Sequence, residues 1–289
     1  MLPFDEQRLA DYSDDDLFAY IESLPPMSSF PCYTKLLSQN LIAKFVRSPQ
    51  SLDEIAALQL AHDLGIRVPV IRRTLTTSDT RESCIIMNRV RGALLEDCWA
   101  EVGWIMTVRV AFQLRKFVRR MRSVTSPTAG GLATGECNSQ YLDDFLQLPR
   151  NATPADVQSF ICFWLQYSRK KGRTYPNLEG YRLHKHLIPP RPTHFVFTHQ
   201  DLTPRNLIID GKQNLWIIDW GYGGYYPEYF EYVGMENFRR IAWNIMARLR
   251  WSVFCFISVG IYSRAYQALN LIRKRSRSDP FARYFVSQT

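Results

Sequence analysis

The segment THQDLTPRNLIID, residues 198–210, decides how this chain is read. It sets a histidine, an aspartate two residues on, and then an arginine and an asparagine beside a proline, directly before an apolar run. Surface loops use Asp, Asn and Pro freely because their side chains satisfy nearby backbone groups, so the segment gains chemical meaning only from its surroundings. Downstream, NLIID and LWIID read as two short strands separated by the turn Gly211-Lys212-Gln213-Asn214. Antiparallel strands joined by a tight turn bring their outer ends together. Asn206, entering the first strand, and Asp219, leaving the second, are therefore expected to sit close, with Asp201 at the same edge. Three oxygen-bearing side chains at one sheet end suit a hard cation such as magnesium, which takes a few carboxylates plus substrate phosphates.

The bulk of the chain permits such a site. Its 289 residues suffice for one large domain or two lobes, and 46% hydrophobic with 22% charged residues is ordinary for a globular protein. The formal charge of +9 suits anionic partners, nucleotides and nucleic acid among them, and equally describes a soluble enzyme with a basic tail. The six cysteines, Cys32, Cys84, Cys98, Cys137, Cys162 and Cys255, include no C-x-x-C pair and fit neither a zinc site nor a dense disulfide framework. The acidic start MLPFDEQRLADYSDDD lacks the layout of a signal peptide, which sets the expectation of a cytoplasmic protein, with a nuclear one as the alternative if the basic run RKRSRS from Arg273 acts as a localisation signal. Asn151-Ala152-Thr153 then matches a glycosylation acceptor by chance. Trp251–Tyr262 is apolar for only 12 residues, short of the ~20 that a span needs, and reads as a core helix.

Along the chain, Ser13 caps a helix that begins at three aspartates. CYTKLLSQNLIAKFV gives two strands around Ser38-Gln39-Asn40. Ser51 and Glu54 form a capping-box pattern at the head of a helix that stops at Gly65. VPVIRRTL and SCIIMNRV form a hairpin. After Gly92 the character becomes helical: Gly103–Val124, Pro154 to about Arg169, and one long stretch from Glu236 nearly to Lys274. The shift near Val90–Gly92 marks a lobe boundary.

H-Q-D-L-T-P-R-N followed by I-I-D-W-G resembles the catalytic and metal-binding motifs of the aminoglycoside phosphotransferase and choline kinase-like family. The resemblance covers about Ser23 to Tyr232 and is sharpest from His199 to Gly221. It implies a two-lobed α+β protein-kinase-like fold, with a small antiparallel-sheet lobe over residues 1–90 and a larger, mainly helical lobe over 91–289. It implies ATP-dependent phosphoryl transfer to a hydroxyl of a small molecule, with magnesium. By that likeness Asp201 is the base, His199 buttresses the loop, and Asn206 and Asp219 hold the metal. Lys44 on a strand reading much like the kinase V-A-I-K would hold the phosphates, oriented by Glu54. Met87, Asn88 and Arg89 resemble the hinge that meets adenine, and Glu228 or Glu231 would border the acceptor pocket.

One stretch departs from the family pattern. LPPMSSFPCYTKLL, where a glycine-rich phosphate loop belongs, contains no glycine. A nucleotide-binding protein without turnover is therefore the first alternative. A basic nucleic-acid-binding protein, drawing on RKRSRS from Arg273, is a more distant one. His184-Lys185-His186 lacks a third ligand and reads as surface. No motif encodes the acceptor or the oligomeric state.

Overall fold

The computed structural model describes residues 4–27, 34–47, 50–76, 82–167, 185–238 and 243–287. Helix α1, Asp14–Ser23, starts where the Ser13 hydroxyl accepts the Asp16 N–H, with three aspartates in its first turn and thus negative charge at the positive end of the helix dipole. Four strands follow: β1 (Thr34–Leu36), β2 (Leu41–Arg47), β3 (Ile71–Thr76) and β4 (Glu82–Asn88), with helix α2 (Gln50–Asp63) inserted after β2. They form an antiparallel sheet in the order β1-β2-β4-β3. Strand side chains alternate between faces, and β4 uses both. Cys84 and Ile86 meet Leu17, Phe18 and Ile21 of α1. Ile85 and Met87 meet Ala57, Leu58 and Ala61 of α2 on the other side.

The second part begins with β5 (Ala93–Leu94), α3 (Leu95–Cys98) and the long helix α4 (Trp104–Arg122), followed by β6 (Thr125–Ser126) and α5 (Pro154–Gln166). Strand β7 (Phe195–Thr198) leads to the hairpin β8 (Leu207–Ile209) and β9 (Leu215–Ile217), then β10 (Gly224–Tyr226) and α6 (Phe230–Glu236). Helices α7 (Ile245–Val259), α8 (Ser263–Ser278) and α9 (Ala282–Ser287) complete the chain. Two three-stranded sheets, β10-β7-β6 and β5-β8-β9, are the scaffold of the site. Between them, β7 and β8 carry the two ends of the loop 199–206. This is the expected fold class, a small antiparallel-sheet lobe joined to a larger, mainly helical one.

Three expectations need correction. The stretch from Glu236 to Lys274 is not one helix. Gly260, with φ of 93°, ends α7 in a conformation open to glycine but strained for other residues, and α8 leaves at 105° to it. Ser51 lies within α2 and its hydroxyl pairs with that of Ser83 at 3.1 Å, so the capping box with Glu54 does not form. The segment Trp251–Tyr262 buries Trp251, Phe254 and Cys255 as expected, yet Phe256 is exposed. No single described helix is long and apolar enough to cross a membrane. Cys84, Cys98, Cys137, Cys162 and Cys255 are free thiols. Cys32, Pro31, Arg169 and His184 lie outside the described residues.

The β8–β9 hairpin depends on one carboxylate. Asp210 accepts from the Lys212 and Asn214 N–H groups, the Asn214 amide and the Trp216 indole at 2.8–3.1 Å. Slight burial opposes its charged form, but these donors, led by Trp216, hold its pKa down at about 2. A depressed acid contributes stability that is present above the ordinary carboxylate range and lost as pH falls toward 2. Asp210→Ala is expected to lower unfolding free energy by about 1–3 kcal/mol at neutral pH. The deficit should shrink on acidification through that window, as followed by urea titrations at stepped pH.

Candidate active site

The cleft is built around one ammonium. Lys44, central on β2, donates to Glu54 Oε1 at 2.7 Å and to Asp219 Oδ1 at 2.6 Å. Glu54 comes from the first turns of α2 and is almost fully buried; Asp219 follows β9 with φ of 64°, in the left-handed region. Burial alone would discharge the lysine, but the Coulombic pull of Glu54 and Asp219 wins and raises its pKa above the ordinary value. Burial likewise works against the Asp219 carboxylate, which Lys44 holds below its usual range. Sequence reasoning paired Lys44 with Glu54; the structure adds Asp219 to the same ammonium.

The loop 199–206 is held from beneath. His199 is fully buried, with Nε2 donating to the Ile218 carbonyl at 3.0 Å and Nδ1 accepting the Asp201 N–H at 3.2 Å. That pair of bonds fits one neutral tautomer. Burial lowers the imidazole pKa accordingly. Asp201 Oδ2 accepts from Arg205 Nη2 at 2.8 Å and Asn206 Nδ2 at 2.9 Å. The Asn206 amide also donates to the Asp201 carbonyl at 2.9 Å, and the Ile218 N–H reaches the Asn206 carbonyl at 3.0 Å. Asp201, Asn206 and Asp219 are thus gathered at one sheet end.

A cavity of about 420 Å³ lies against this constellation. Ile42, Met87, Val90 and Ile208 supply apolar lining; Lys44, Glu54, Asn206 and Asp219 supply the polar lining. Of the hinge residues, Met87 and Arg89 line it and Asn88 does not. The Asn88 N–H is spent on the Val70 carbonyl and the Arg89 N–H on the Asn40 carbonyl, at 2.9 and 2.7 Å, so these two donors do not serve adenine.

Neither of the two glutamates expected at an acceptor pocket lines this cavity. Glu231 is 1% exposed, and its two oxygens accept the backbone N–H groups of His199 and Gln200 from α6. Burial pushes its pKa up to about 7 despite those donors. Glu228 is exposed and accepts from the Tyr262 hydroxyl at 2.9 Å, at the junction of α7 and α8. The polar hollow beside the loop, about 270 Å³, is lined instead by Glu136, Asn138, Asp143, Arg150, Tyr222 and Arg277. Gln200 ties it to the loop by donating to the Tyr222 and Asn138 carbonyls at 2.6 and 3.4 Å.

Asp53 was invisible to sequence reasoning. It precedes Glu54 on α2, is 6% exposed, and accepts the Ala133 and Thr134 N–H groups at 2.8 and 2.9 Å as well as the Thr134 hydroxyl. Residue 131 must be glycine for this approach, since a Cβ there would stand 2.2 Å from the Asp53 carboxyl carbon. Adjacent acids therefore fasten α2 in two directions, to β2 and to the loop 131–135.

A family model described as "Phosphotransferase enzyme family" matches residues 33–253. No curated protein sequence matches the chain. Among solved structures, the GDP complex of wild-type aminoglycoside 2'-phosphotransferase-IIIa is similar at 15% identity and a TM-score of 0.53, covering 94% of this chain and 90% of that one. A thermostable mutant of aminoglycoside phosphotransferase APH(4)-Ia, in ternary complex with ADP and hygromycin B, gives 11% identity and 0.56, covering 95% and 92%. At these identities the likeness concerns the fold.

Asp53→Ala removes the acceptor of two part-buried N–H groups and of the Thr134 hydroxyl, and is expected to cost about 1–3 kcal/mol of stability. Gly131→Ala is expected to destabilise comparably, and the double variant to cost less than the sum because both break one contact. Denaturant midpoints of the three proteins check this.

Proposed function

Because the chain belongs to the phosphotransferase enzyme family, we propose that it transfers the terminal phosphoryl group of ATP to a hydroxyl of a small molecule. The observation that carries this reading is one cavity lined by the Lys44–Glu54–Asp219 cluster and by Arg205 and Asn206, the two residues that hold the Asp201 carboxylate. Lys44 would hold nucleotide phosphates, and Glu54 keeps its ammonium aimed into the cleft. Asp201 would accept the proton of the acceptor hydroxyl through Oδ1, since Oδ2 is taken by Arg205 and Asn206. Fixing one oxygen in this way aims the other, the geometry general-base work requires. His199 and Glu231 support the loop and take no part in proton transfer.

Magnesium fits the donor set. Asp219 is half exposed and keeps Oδ2 free of any partner among the described residues, while Asn206 spends its amide nitrogen on Asp201 and leaves its oxygen for a ligand. Asp219 and Asn206 would hold the ion, which supplies neutralisation of phosphate charge when bound. The acceptor would enter through the hollow by Tyr222, whose lining mixes Arg150 and Arg277 with Glu136 and Asp143. Met87 and Val90 would bracket the base from the apolar side. The absence of glycine between Leu24 and Leu37 keeps a second reading, nucleotide binding without turnover. Residues 28–33 within that stretch lie outside the described residues.

ATP-dependent mass gain across a metabolite library tests the activity and identifies the acceptor. With that acceptor, Asp201→Asn is expected to retain nucleotide binding and lose about 10²–10⁴-fold in turnover; full turnover would remove Asp201 from the role. Lys44→Ala is expected to abolish nucleotide binding, and Lys44→Arg to restore little, because a planar fork cannot replace a compact ammonium between two carboxylates. Calorimetric titrations with magnesium and with chelator decide this. Tight, magnesium-independent binding that ignores Lys44 would refute the nucleotide site.

A further inference from the structure

Half of the large apolar side chains that stand exposed among the described residues lie on two neighbouring helices, α4 and α7. Ile105 is 89% exposed, Ile245 80%, and Phe112 and Phe256 each 57%. On α4, Ile105, Val108, Phe112, Lys116 and Arg119 recur at spacings of three and four, so they share one outward stripe. On α7, Ile245, Leu249 and Phe256 stand four and seven residues apart, about one and two turns, and also share a stripe. The stripes border a common seam. Arg115 Nη1 donates to the Ile257 carbonyl at 2.9 Å, and the Ser258 hydroxyl to that of Ala111 at 3.4 Å. The outcome is one broad apolar face on the larger lobe, sharing no residue with the cleft.

Charge distinguishes this face from an incidental apolar patch. No acidic residue occurs between positions 102 and 135, or between 237 and 278. Helix α4 alone carries Arg109, Arg115, Lys116, Arg119, Arg120 and Arg122. The apolar half of its stripe runs into an open, cation-lined hollow of about 720 Å³ formed by Phe112, Arg115, Lys116, Arg119, Arg120 and Ser123. Arg115 and Arg120 are occupied by the Ile257 and Gly65 carbonyls. Lys116 and Arg119 have no side-chain partner among the described residues and face water.

The occupant must accept apolar side chains and cations side by side. A second copy of the chain, docked about a two-fold axis, would bring the Lys116 and Arg119 of both copies into one interface to which α4 and α7 contribute no acid. Nucleic acid would take the cations but leave Ile105 and Ile245 in water. A bilayer with anionic lipid takes both, burying the side chains at the acyl boundary and meeting the cations with headgroup phosphate. We propose that the α4–α7 face docks this protein on an anionic phospholipid surface. Ile105, Phe112, Ile245, Leu249 and Phe256 enter the interface, and Lys116 and Arg119 contact the headgroups.

The test is flotation of the full chain with phosphatidylcholine vesicles, and with the same vesicles containing about 30 mol% phosphatidylserine. Binding is expected to the anionic vesicles alone and to weaken with salt. The pair Phe112→Ser with Phe256→Ser, and the pair Lys116→Glu with Arg119→Glu, should each lower the partition coefficient by about tenfold or more. Unchanged melting temperatures confirm that both variants are folded. Absence of flotation, equal binding to neutral vesicles, or binding that both variants retain would overturn the proposal. So would a dimer in sedimentation velocity that Phe112→Ser with Phe256→Ser dissolves, or capture of RNA or an acidic protein in place of vesicles.

Discussion

The cleft depends on a buried ammonium shared by two carboxylates. Lys44 joins the first sheet, helix α2 and the exit of β9 in one ion cluster, with contacts of 2.7 and 2.6 Å. Such a cluster is a poor device for stability, because desolvating the charges offsets most of their attraction. Removing the lysine would be worse, leaving Glu54 buried without counter-charge at a cost of about 3–5 kcal/mol. A cluster that is costly to build and costly to break has its rationale in what it orients. It fixes a cation in the cleft, and it makes the approach of β2, α2 and the exit of β9 a condition for satisfying that cation.

Around it, two buried carboxylates take their partners from backbone. Asp53 takes two N–H groups from the loop 131–135, and Glu231 takes those of His199 and Gln200. In each case a buried carboxylate sits under a loop that has no sheet partner, giving its donors an acceptor that strands would otherwise supply. Gln200, with φ of 65°, is held in the left-handed region by this arrangement. A non-glycine residue in that region persists only where its surroundings over-determine it, and here they do so from both sides.

Which parts were legible follows from what a side chain can announce. The spacing from His199 to Asn206, the hairpin and Asp219 are local, so the sequence carried them intact. Lys44 was legible because its strand reads much like V-A-I-K and its partner heads the helix that follows. Glu54 was paired with Lys44, but a capping role was also attached to it, since S-x-x-E has the same spelling within a helix as at its start. Asp53 could not be found, because its partners are N–H groups some eighty residues away, and backbone donors leave no trace in sequence. Glu228 and Glu231 lie in a run of aromatic residues, and nothing there distinguishes the acid that turns inward from the one that faces water. The break at Gly260 was missed because apolar periodicity continues across it, and a single glycine inside a helix costs only about 1 kcal/mol.

The charges in the cleft argue for the form in which a nucleotide would arrive. Lys44 and Arg205 face Glu54, Asp219 and Asp201, two cations against three anions within a constellation of direct contacts. A polyanionic nucleotide entering alone would meet net repulsion, strengthened by the low dielectric of a partly enclosed cavity. Lys44 alone does not offset it, since its ammonium is shared with two carboxylates. On the proposed reading a divalent ion arriving with the phosphates would reverse the balance, and the oxygen of Asp219 without a partner among the described residues would be available to hold it. The positive charge that gives the chain its +9 is therefore not what would attract nucleotide. Much of it lies on α4, on the opposite side of that helix from the core residues Val110, Leu114, Phe117 and Val118, where it can act on a different anion.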